Sequence, residues 1–263
     1  MKRSLLSAPP GGIPQVWEPL LKDAEIYDSS CSPEARVYFV NSHEGQFYLK
    51  RAACTTLRRE AEMTAYFYRK GMGAEVLSYT STEEADWLMT ARVPGKDATH
   101  ATYLAEPKRL AVLLGTELRR LHEMNSTDCP VQDRMGEYLA LAEENYRKGL
   151  FDPSFLPPDA RSMKAEDARR VLREAADTFK NDTLLHGDFC LPNVMLSDWQ
   201  LSGYIDVDHS GVGDRHVDLF WGAWTLGFNL GTDAYRDLFF DAYGRDRIDR
   251  ELLTAVAAAE TFG

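Results

Sequence analysis

The sequence has few cysteines, four among 263 residues, and none of them lies in a CxxC pair. They are scattered at positions Cys31, Cys54, Cys129 and Cys190. The six histidines form no HExxH motif; the nearest match, HEMNS after Leu121, lacks the second histidine. These absences argue against a disulfide framework and against a protein-bound zinc ion, and they suit reduced thiols in a reducing compartment.

Long apolar runs and an excess of positive charge are also missing. No run reaches the roughly 18 residues that a membrane-spanning helix needs, and the apolar run in MKRSLLSAPPGG is shorter than the ~7–15-residue core of a signal peptide. Against 30 Lys and Arg stand 41 Asp and Glu, which gives a formal net charge of −11. We therefore expect a cytoplasmic protein with neither a nucleic-acid nor a membrane partner, and the acidic balance favours a cationic ligand only weakly.

The composition is that of an ordinary globular protein, with 44% hydrophobic and 27% charged residues. Near the N-terminus, two hairpin-like stretches, ARVYFVNSHEGQFYLKRA and EVLSYTSTEEADWLMTARVPG, flank a helical stretch, LRREAEMTAYFYRKG, which ends at Gly71. In the first hairpin, Phe47 and Leu49 share one strand face, and Tyr48 and Lys50 share the other. The pattern predicts a β-rich N-terminal lobe over residues 1–95.

Helical periodicity dominates from EPKRLAVLLGTELRRLHEM onward, where a leucine stripe from Leu110 to Leu121 opposes Arg and Glu. Two short strand-like pieces, near residues 194–196 and 203–206, interrupt the helices. The sequence therefore predicts an α+β protein with two lobes, of which the mostly helical C-terminal lobe covers residues 96–263.

A polar cluster interrupts the apolar segment LLHGDFCLPNVML, residues 184–196. His186, Asp188 and Asn193 follow the spacing H-x-D-x4-N of the kinase catalytic loop. In that loop the Asp accepts the proton of the attacking hydroxyl, and the Asn binds Mg²⁺. Asp206, 13 residues after Asn193 at the end of the strand-like SGYID, occupies the position of the second metal ligand in the kinase plan.

Each of these residues also has a simpler interpretation. An HGD tripeptide is often a turn with a capping Asp, and Asn193 after a proline could be a turn residue. Lys50 on a strand and Glu60 on the inward face of a helix could form an ion pair, or could be a surface lysine and a solvated acid. Four features follow one another along the chain in the order that the kinase plan requires, and this order favours the kinase interpretation. They are a strand lysine, a helix glutamate, the H-x-D-x4-N segment and an aspartate after a strand. For His186 we favour a structural hydrogen-bonding role, and for Cys190 packing, because its apolar flanks raise the pKa of a thiol.

The segments HGDFCLPNVML and SGYIDVDHSGVGDRHVDL resemble the bacterial aminoglycoside 3′-phosphotransferases, whose patterns run HGDxCLPN and IDxGRxGxADRxxD. The resemblance covers almost the whole chain, with WLMTARVPG as the hinge. It implies a eukaryotic-protein-kinase-like fold that transfers the γ-phosphate of ATP or GTP, with Mg²⁺, to a hydroxyl of a small-molecule acceptor. It also implies that Asp218 in HVDL is a structural acid.

Matching positions extend the resemblance to single residues. Asp188 would be the catalytic base, Lys50 would hold the α- and β-phosphates, and Glu60 would orient Lys50. Asn193 and Asp206 would bind Mg²⁺. The remaining nucleotide-binding positions would be Ser32 in the phosphate-positioning loop, Thr90 behind the base, and the backbone of Ala91 and Val93.

The chain departs from the family pattern where the acceptor would bind. Asp208 and His209 replace the Gly and Arg of IDxGR, and aromatic or small polar residues in WGAWTLGFNLG replace expected charges. Fewer carboxylates would weaken the grip on a polycation, because each charge-assisted hydrogen bond is worth roughly 1.5–3 kcal/mol. Trp221, Trp224 and Phe228 could stack on a sugar ring, but we favour a place in the core. The acceptor-site candidates are Asp159, Asp208, His209, Thr225, Phe228, Glu260 and Gly263.

The sequence thus predicts an ATP- or GTP-dependent kinase that phosphorylates the 3′-hydroxyl of an aminoglycoside and confers antibiotic resistance. The first alternative is the same chemistry on another small alcohol or aminosugar. The second is a nucleotide-binding pseudokinase, which the presence of Lys50, Asp188, Asn193 and Asp206 opposes. We expect the enzyme to act as a monomer or a weak dimer.

Overall fold

The computed structural model describes residues 3–31, 33–158 and 160–263, and its contacts divide them into two compact units. The first unit holds the described residues up to Gly95 together with residues 195–197 and 202–208; the second holds the others. Strands dominate the first unit and helices dominate the second, so the predicted α+β class is confirmed. The first unit is discontinuous in the sequence, whereas the sequence pattern indicated a single break after residue 95.

A six-stranded antiparallel sheet forms the body of the first unit, in the strand order β1-β2-β3-β4-β6-β5. Two helices accompany it, the one-turn α1 (Glu18–Leu21) and the longer α2 (Arg58–Arg69). The strands are β1 (Ser4–Leu5), β2 (Glu25–Asp28), β3 (Ala35–Ser42), β4 (Gly45–Ala52), β5 (Val76–Ser81) and β6 (Asp86–Ala91).

Strand β4 separates an apolar core from the face that carries Lys50. Leu49 is fully buried in a core with Trp17, and burial alternates along the strand as the sequence predicted. Because successive side chains point to opposite faces of a sheet, Lys50 lies on the other face. Leu88, directly across from Lys50 on β6, packs against Leu57 at the start of α2. Helix α2 therefore lies on the Lys50 side of the sheet.

Contacts from the last turn of α2 and from the residues just after it explain why residues 202–208 join the first unit. The helix ends at Arg69, and Gly71, the predicted C′ residue, follows the C-cap Lys70 with a φ of +72°, in the left-handed region. The following Met72 carbonyl accepts a hydrogen bond of 2.7 Å from the Tyr204 N–H. Phe67 also packs edge-on against Tyr204, with 6.2 Å between the ring centroids. These contacts hold the end of the hairpin formed by β9 (Val194–Ser197) and β10 (Gln200–Tyr204).

The buried carboxylate of Asp86 ties the start of α2 to the β5–β6 hairpin. It accepts hydrogen bonds from the Leu57 N–H at 2.9 Å, the Tyr79 hydroxyl at 3.0 Å and the Ser81 hydroxyl at 2.6 Å. Although burial opposes ionisation, these hydrogen bonds outweigh it and hold the pKa of Asp86 below its ordinary value. The carboxylate is therefore a structural anchor of this unit.

We expect Asp86→Ala to lower the free energy of unfolding by about 3 kcal/mol, because three donors lose a charged acceptor. Since the folded-state pKa lies below the unfolded value of 3.8, this contribution is present above that pH and is lost as the pH falls below it. Urea unfolding at pH 7 and pH 3 measures both effects. Glu83→Ala, at an exposed position in the same hairpin, is the control and should change stability by less than about 0.5 kcal/mol. Equal stability of the two variants at pH 7 would contradict the anchoring role.

The second unit is mostly helical. The leucine stripe of α4 is buried as predicted, with Leu110, Leu114, Leu118 and Leu121 all at 0% exposure. At Gly115 a Cβ atom would lie 2.3 Å from the Phe239 carbonyl oxygen, so glycine permits α4 and α8 to pack closely. The helices are α3 (Ala101–Leu104), α4 (Pro107–His122), α5 (Arg134–Arg147), α6 (Ala165–Ala175), α7 (His216–Leu230), α8 (Arg236–Tyr243) and α9 (Arg250–Glu260).

Short strands complete the fold: β7 (Lys96–Asp97), β8 (Thr183–Leu185) and β11 (Gly211–Gly213). Strands β8 and β11 pair antiparallel, and the predicted catalytic loop begins directly after β8. In the described part of the chain, every helix is too short or too polar to cross a lipid bilayer.

Candidate active site

The catalytic-loop candidates Asp188 and Asn193 are in direct contact within the second unit. The Asn193 side-chain amide donates to the Asp188 carboxylate Oδ2 at 2.8 Å and to the Asp188 backbone carbonyl at 3.1 Å. Asn193 is buried in a single turn of 3₁₀ helix, Leu191–Asn193, which brings it back over Asp188. The amide orients the carboxylate, and Asn193 keeps its own carbonyl oxygen as an acceptor.

Asp218, in the first turn of α7, anchors the beginning of this loop. Its carboxylate is fully buried and accepts hydrogen bonds from the backbone N–H groups of His186 at 2.7 Å and Gly187 at 2.8 Å. His122 Nε2 lies 3.1 Å from the same carboxylate. The predicted structural role of Asp218 is confirmed.

His186 and Gly187 shape the backbone that presents Asp188. The Asp188 N–H donates to His186 Nδ1 at 3.3 Å, so the predicted hydrogen-bonding role of the buried His186 is confirmed. Gly187 has a φ of +85°, and a Cβ there would lie 1.9 Å from the His209 carbonyl oxygen. Only glycine fits at this position.

Lys50, Glu60 and Asp206 form a compact charged cluster in the first unit. Lys50 Nζ lies 2.8 Å from Glu60 Oε2 and 2.8 Å from Asp206 Oδ1, so the predicted Lys50–Glu60 ion pair is confirmed. Glu60 projects from the first turn of α2 and is buried, whereas the side chain of Asp206 is 49% exposed. Strand β10 ends at Tyr204, two residues earlier than predicted, and Asp206 has a φ of +60°. The irregular segment that presents Asp206 thus begins at Ile205.

Burial and charge act in opposite directions on this cluster. Burial favours neutral Lys50, but the carboxylates of Glu60 and Asp206 outweigh it and raise the pKa of Lys50 above its ordinary value. Burial raises the pKa of Glu60 to about 7, and Lys50 only partly offsets this shift. Lys50 is therefore a permanent cation at neutral pH.

Oxygen donors suited to Mg²⁺ are present in both units, Asn193 in the second and Asp206 in the first. Within residues 3–31, 33–158 and 160–263, no group of three or more His, Cys, Asp or Glu side chains could hold a metal ion by itself. Amide and carboxylate oxygens are the donor types that fit Mg²⁺, which usually takes one or two protein oxygens and completes its shell with substrate phosphates and water.

The predicted nucleotide-binding positions lie at the end of β6 and just beyond it. Thr90 pairs with Tyr48 across the sheet. The Ala91 N–H donates to the Glu75 carbonyl at 2.9 Å and is therefore engaged within the protein. Val93 is buried and lies after the strand. Ser32, the predicted phosphate neighbour, lies outside the described residues.

Among the acceptor-site candidates, Glu260 occupies a polar pocket in the second unit. Its Oε1 accepts hydrogen bonds from the Tyr138 hydroxyl at 2.7 Å and from the Trp221 indole N–H at 3.0 Å. Burial raises the pKa of Glu260 to about 7, although both hydrogen bonds oppose this shift. The negative charge of Asp188 raises it further, so Glu260 lies within electrostatic reach of the catalytic-base candidate.

Thr225 is buried, and its hydroxyl is engaged with the catalytic loop. It accepts a hydrogen bond of 3.3 Å from the Leu191 N–H, and the Asn229 side-chain amide lies 3.1 Å away. The neighbouring Cys190 has a raised thiol pKa, first because of burial and then because of the Asp188 charge. This environment fits the predicted packing role of Cys190 and does not favour a nucleophile.

Phe228 corrects one of the sequence predictions, because it is 71% exposed and does not belong to the core. Its ring stacks on Trp224 with 5.1 Å between centroids and 9° between planes. Trp221 and Trp224 are partly buried.

The other acceptor candidates are dispersed. Asp208 lies in the first unit, where its charge contributes to the raised pKa of Glu60. His209 is exposed, and its carbonyl accepts a hydrogen bond of 2.7 Å from Arg134 Nε. The Gly263 carbonyl accepts from the Asn145 side-chain amide at 3.0 Å. Asp159 lies outside the described residues.

Arg134 is a buried cation that the sequence analysis missed. Its guanidinium contacts His209, lies 6.0 Å from the ring centroid of Tyr138, and lowers the pKa of Glu260 through its charge. His209 stands where the family pattern has an arginine, so a cation is present near this position even though the motif lacks one. The only signal in the sequence was an arginine after Asp133 at a helix start, which does not point to a distant site.

Comparison with known proteins places the chain among phosphotransferases. The family described as "Phosphotransferase enzyme family" matches residues 33–254. A probable aminoglycoside 3′-phosphotransferase of Lactococcus lactis subsp. lactis (strain IL1403) is 48% identical over 250 residues, which cover 95% of each chain. An aminoglycoside 3′-phosphotransferase of Niallia circulans is 29% identical over 219 residues, 82% of this chain and 83% of the other.

Solved structures show the same fold. An aminoglycoside-3′-phosphotransferase of type VIII matches with a TM-score of 0.72 and 25% identity, over 91% of this chain and 94% of that one. The aminoglycoside phosphotransferase APH(3″)-Id of Streptomyces rimosus, in complex with ADP and streptomycin, matches with a TM-score of 0.71 and 22% identity, over 86% and 90%. The predicted eukaryotic-protein-kinase-like fold is confirmed.

Proposed function

The chain belongs to the phosphotransferase enzyme family, and on that premise we propose that it transfers the γ-phosphate of ATP or GTP to the 3′-hydroxyl of an aminoglycoside, thereby conferring resistance. The observation that carries this proposal is the 48% identity with a probable aminoglycoside 3′-phosphotransferase over 95% of both chains. The complex of a structural neighbour with ADP supports the use of ATP as donor.

Asp188 is the catalytic base in this mechanism. The Asn193 amide holds its Oδ2 atom, so Oδ1 is placed to accept the proton of the acceptor hydroxyl. As the new bond between that oxygen and the γ-phosphorus forms, the bond to the bridging oxygen breaks and the nucleoside diphosphate leaves. General base catalysis of this kind contributes about 10²–10⁴-fold to the rate.

Lys50 is the proposed cation for the α- and β-phosphates. Glu60 is buried and holds Lys50 from the α2 side, whereas Asp206 is half exposed and is the partner that can turn towards a different cation. Phosphate oxygens would then take the place of Asp206 on Lys50. Asn193 and Asp206 would hold Mg²⁺, which would supply positive charge to offset the charge that develops on the phosphates.

The reaction at another acceptor is the second candidate, and one observation favours it. A groove in the second unit is lined by Phe155, Trp224 and Phe228, and its lining holds more arginines than aspartates. A polycation would bind better to carboxylates. The chemistry of transfer would be unchanged.

A coupled assay of ADP or GDP release tests the proposal. Kanamycin B carries the 3′-hydroxyl and tobramycin is its 3′-deoxy form, so we expect turnover of the first and at least 100-fold less of the second. Choline and glucosamine report on the alternative acceptors. Equal turnover of kanamycin B and tobramycin would exclude the 3′-position, and turnover of choline or glucosamine alone would replace the proposal by its alternative.

A further inference from the structure

A concave surface of the second unit is lined by aromatic side chains. The cavity has a volume of about 860 Å³, within the ~300–1,000 Å³ of small-molecule sites. We name it the aromatic groove; its apolar walls are Phe155, Leu156, Trp224, Phe228, Phe240 and Leu253. Segment 154–158 and helices α7, α8 and α9 contribute to it, so it is part of a packed helical scaffold.

Phe228 offers a flat binding surface in this groove. One face of its ring is stacked on Trp224, and because the side chain is 71% exposed, the other face is open to a ligand. Phe155 also lines the groove, and its ring centroid lies 5.6 Å from that of Trp224. A large exposed aromatic ring held in place by a second ring is typical of binding sites for ligands with an apolar face.

The charged residues of the aromatic groove disfavour an ammonium group. The described lining includes four arginines and two aspartates. Of these, Arg245 pairs with Asp237 at 3.1 Å and also with Asp241, which is not part of the lining, at 2.5 Å. Even with Asp241 counted, the four arginines outnumber the three aspartates. The remaining balance is positive, so a cationic substituent would meet repulsion whereas a neutral one would not. The arginines are Arg161, Arg236, Arg245 and Arg250, and the aspartates are Asp233 and Asp237.

Side-chain contacts lead from the aromatic groove to Glu260, whose charge interacts with that of Asp188. Phe155 packs edge-on against Trp221 with 5.7 Å between centroids. The Trp221 indole donates to Glu260, and the charge of Glu260 interacts with that of Asp188. The aromatic groove and Asp188 thus belong to the same unit of the protein.

We infer that the aromatic groove binds an uncharged distal sugar ring of the acceptor, whose C–H face stacks on Phe228. Sugar rings without amino groups combine an apolar face with hydroxyl groups at the edge. The face matches the aromatic side chains of the groove, and the hydroxyl groups match its arginines and aspartates. This inference rests on the proposed function and specifies which part of an aminoglycoside the chain recognises. Phe228 becomes a specificity-determining residue.

Neamine and ribostamycin provide a matched pair of acceptors, because ribostamycin is neamine carrying one uncharged ribose. Both have the 3′-hydroxyl. We expect Phe228→Ala to raise KM for ribostamycin about five- to tenfold with kcat unchanged, and to change KM for neamine less than twofold. Phe228→Tyr keeps the ring face and should retain the wild-type KM for ribostamycin.

Tyr68→Ala removes an exposed aromatic ring from α2 and is the control for nonspecific effects. Thermal unfolding verifies that all variants fold, which is expected because Phe228 is mostly exposed. An equal rise in KM for both acceptors, or no rise for either, overturns the inference and leaves the proposed function standing. If the wild-type enzyme phosphorylates neither acceptor, the proposed function and this inference fail together.

Discussion

Asp188→Asn is expected to lower kcat about 10²–10⁴-fold, with KM for the nucleotide nearly unchanged. The substitution keeps the size of the side chain but removes the carboxylate that would accept the proton of the acceptor hydroxyl. The Asn193 side-chain amide orients Asp188 by donating to its carboxylate at 2.8 Å, and both residues belong to the same loop. The loop backbone is held separately by Asp218, so it should keep its conformation.

Steady-state kinetics with kanamycin B and nucleotide titration by fluorescence measure the two quantities. Asp177→Asn is the matched control, because it makes the same chemical change at an exposed position of the second unit and should leave kcat within twofold. Undiminished transfer by Asp188→Asn would disprove the base assignment. A parallel loss of kcat and nucleotide binding would point instead to a disturbed loop.

Local spacing made the catalytic loop predictable. The contact between Asp188 and Asn193 spans five residues. Pro192 and the short spacing between the two residues predict the single turn that joins them. The Lys50–Glu60 pair spans ten residues and joins a strand to the helix that follows it, so alternation and helical periodicity were enough to suggest it. The roles of these residues in transfer stay predictions.

Long-range contacts account for what the sequence did not indicate. Tyr138 and Glu260 are 122 residues apart, and Arg134 and His209 are 75 apart, yet both pairs are in hydrogen-bond contact. No periodicity relates such positions, because the packing of separate helices brings them together. The aromatic groove belongs to the same class: its walls come from segment 154–158 and three helices, so the exposure of Phe228 depends on their arrangement.

Asp218→Ala is expected to lower the free energy of unfolding by about 4 kcal/mol. It removes a fully buried carboxylate and leaves the N–H groups of His186 and Gly187 without their acceptors, at a cost of about 1–3 kcal/mol each. His122 loses the same partner, and burial already lowers its pKa, so it should remain neutral in the variant. Urea unfolding measures the loss.

Asp218→Asn separates the hydrogen bonds from the charge, because its amide oxygen can still accept one of the two backbone N–H groups. We expect a smaller loss of stability, about 2 kcal/mol, and a reduced kcat in the folded protein, since the loop that presents Asp188 is held at one point only. Asp177→Ala again serves as the control for a surface acid. Wild-type stability of Asp218→Ala would contradict the anchoring role, whereas wild-type kcat in a stable Asp218→Asn would show that one hydrogen bond suffices to position the base.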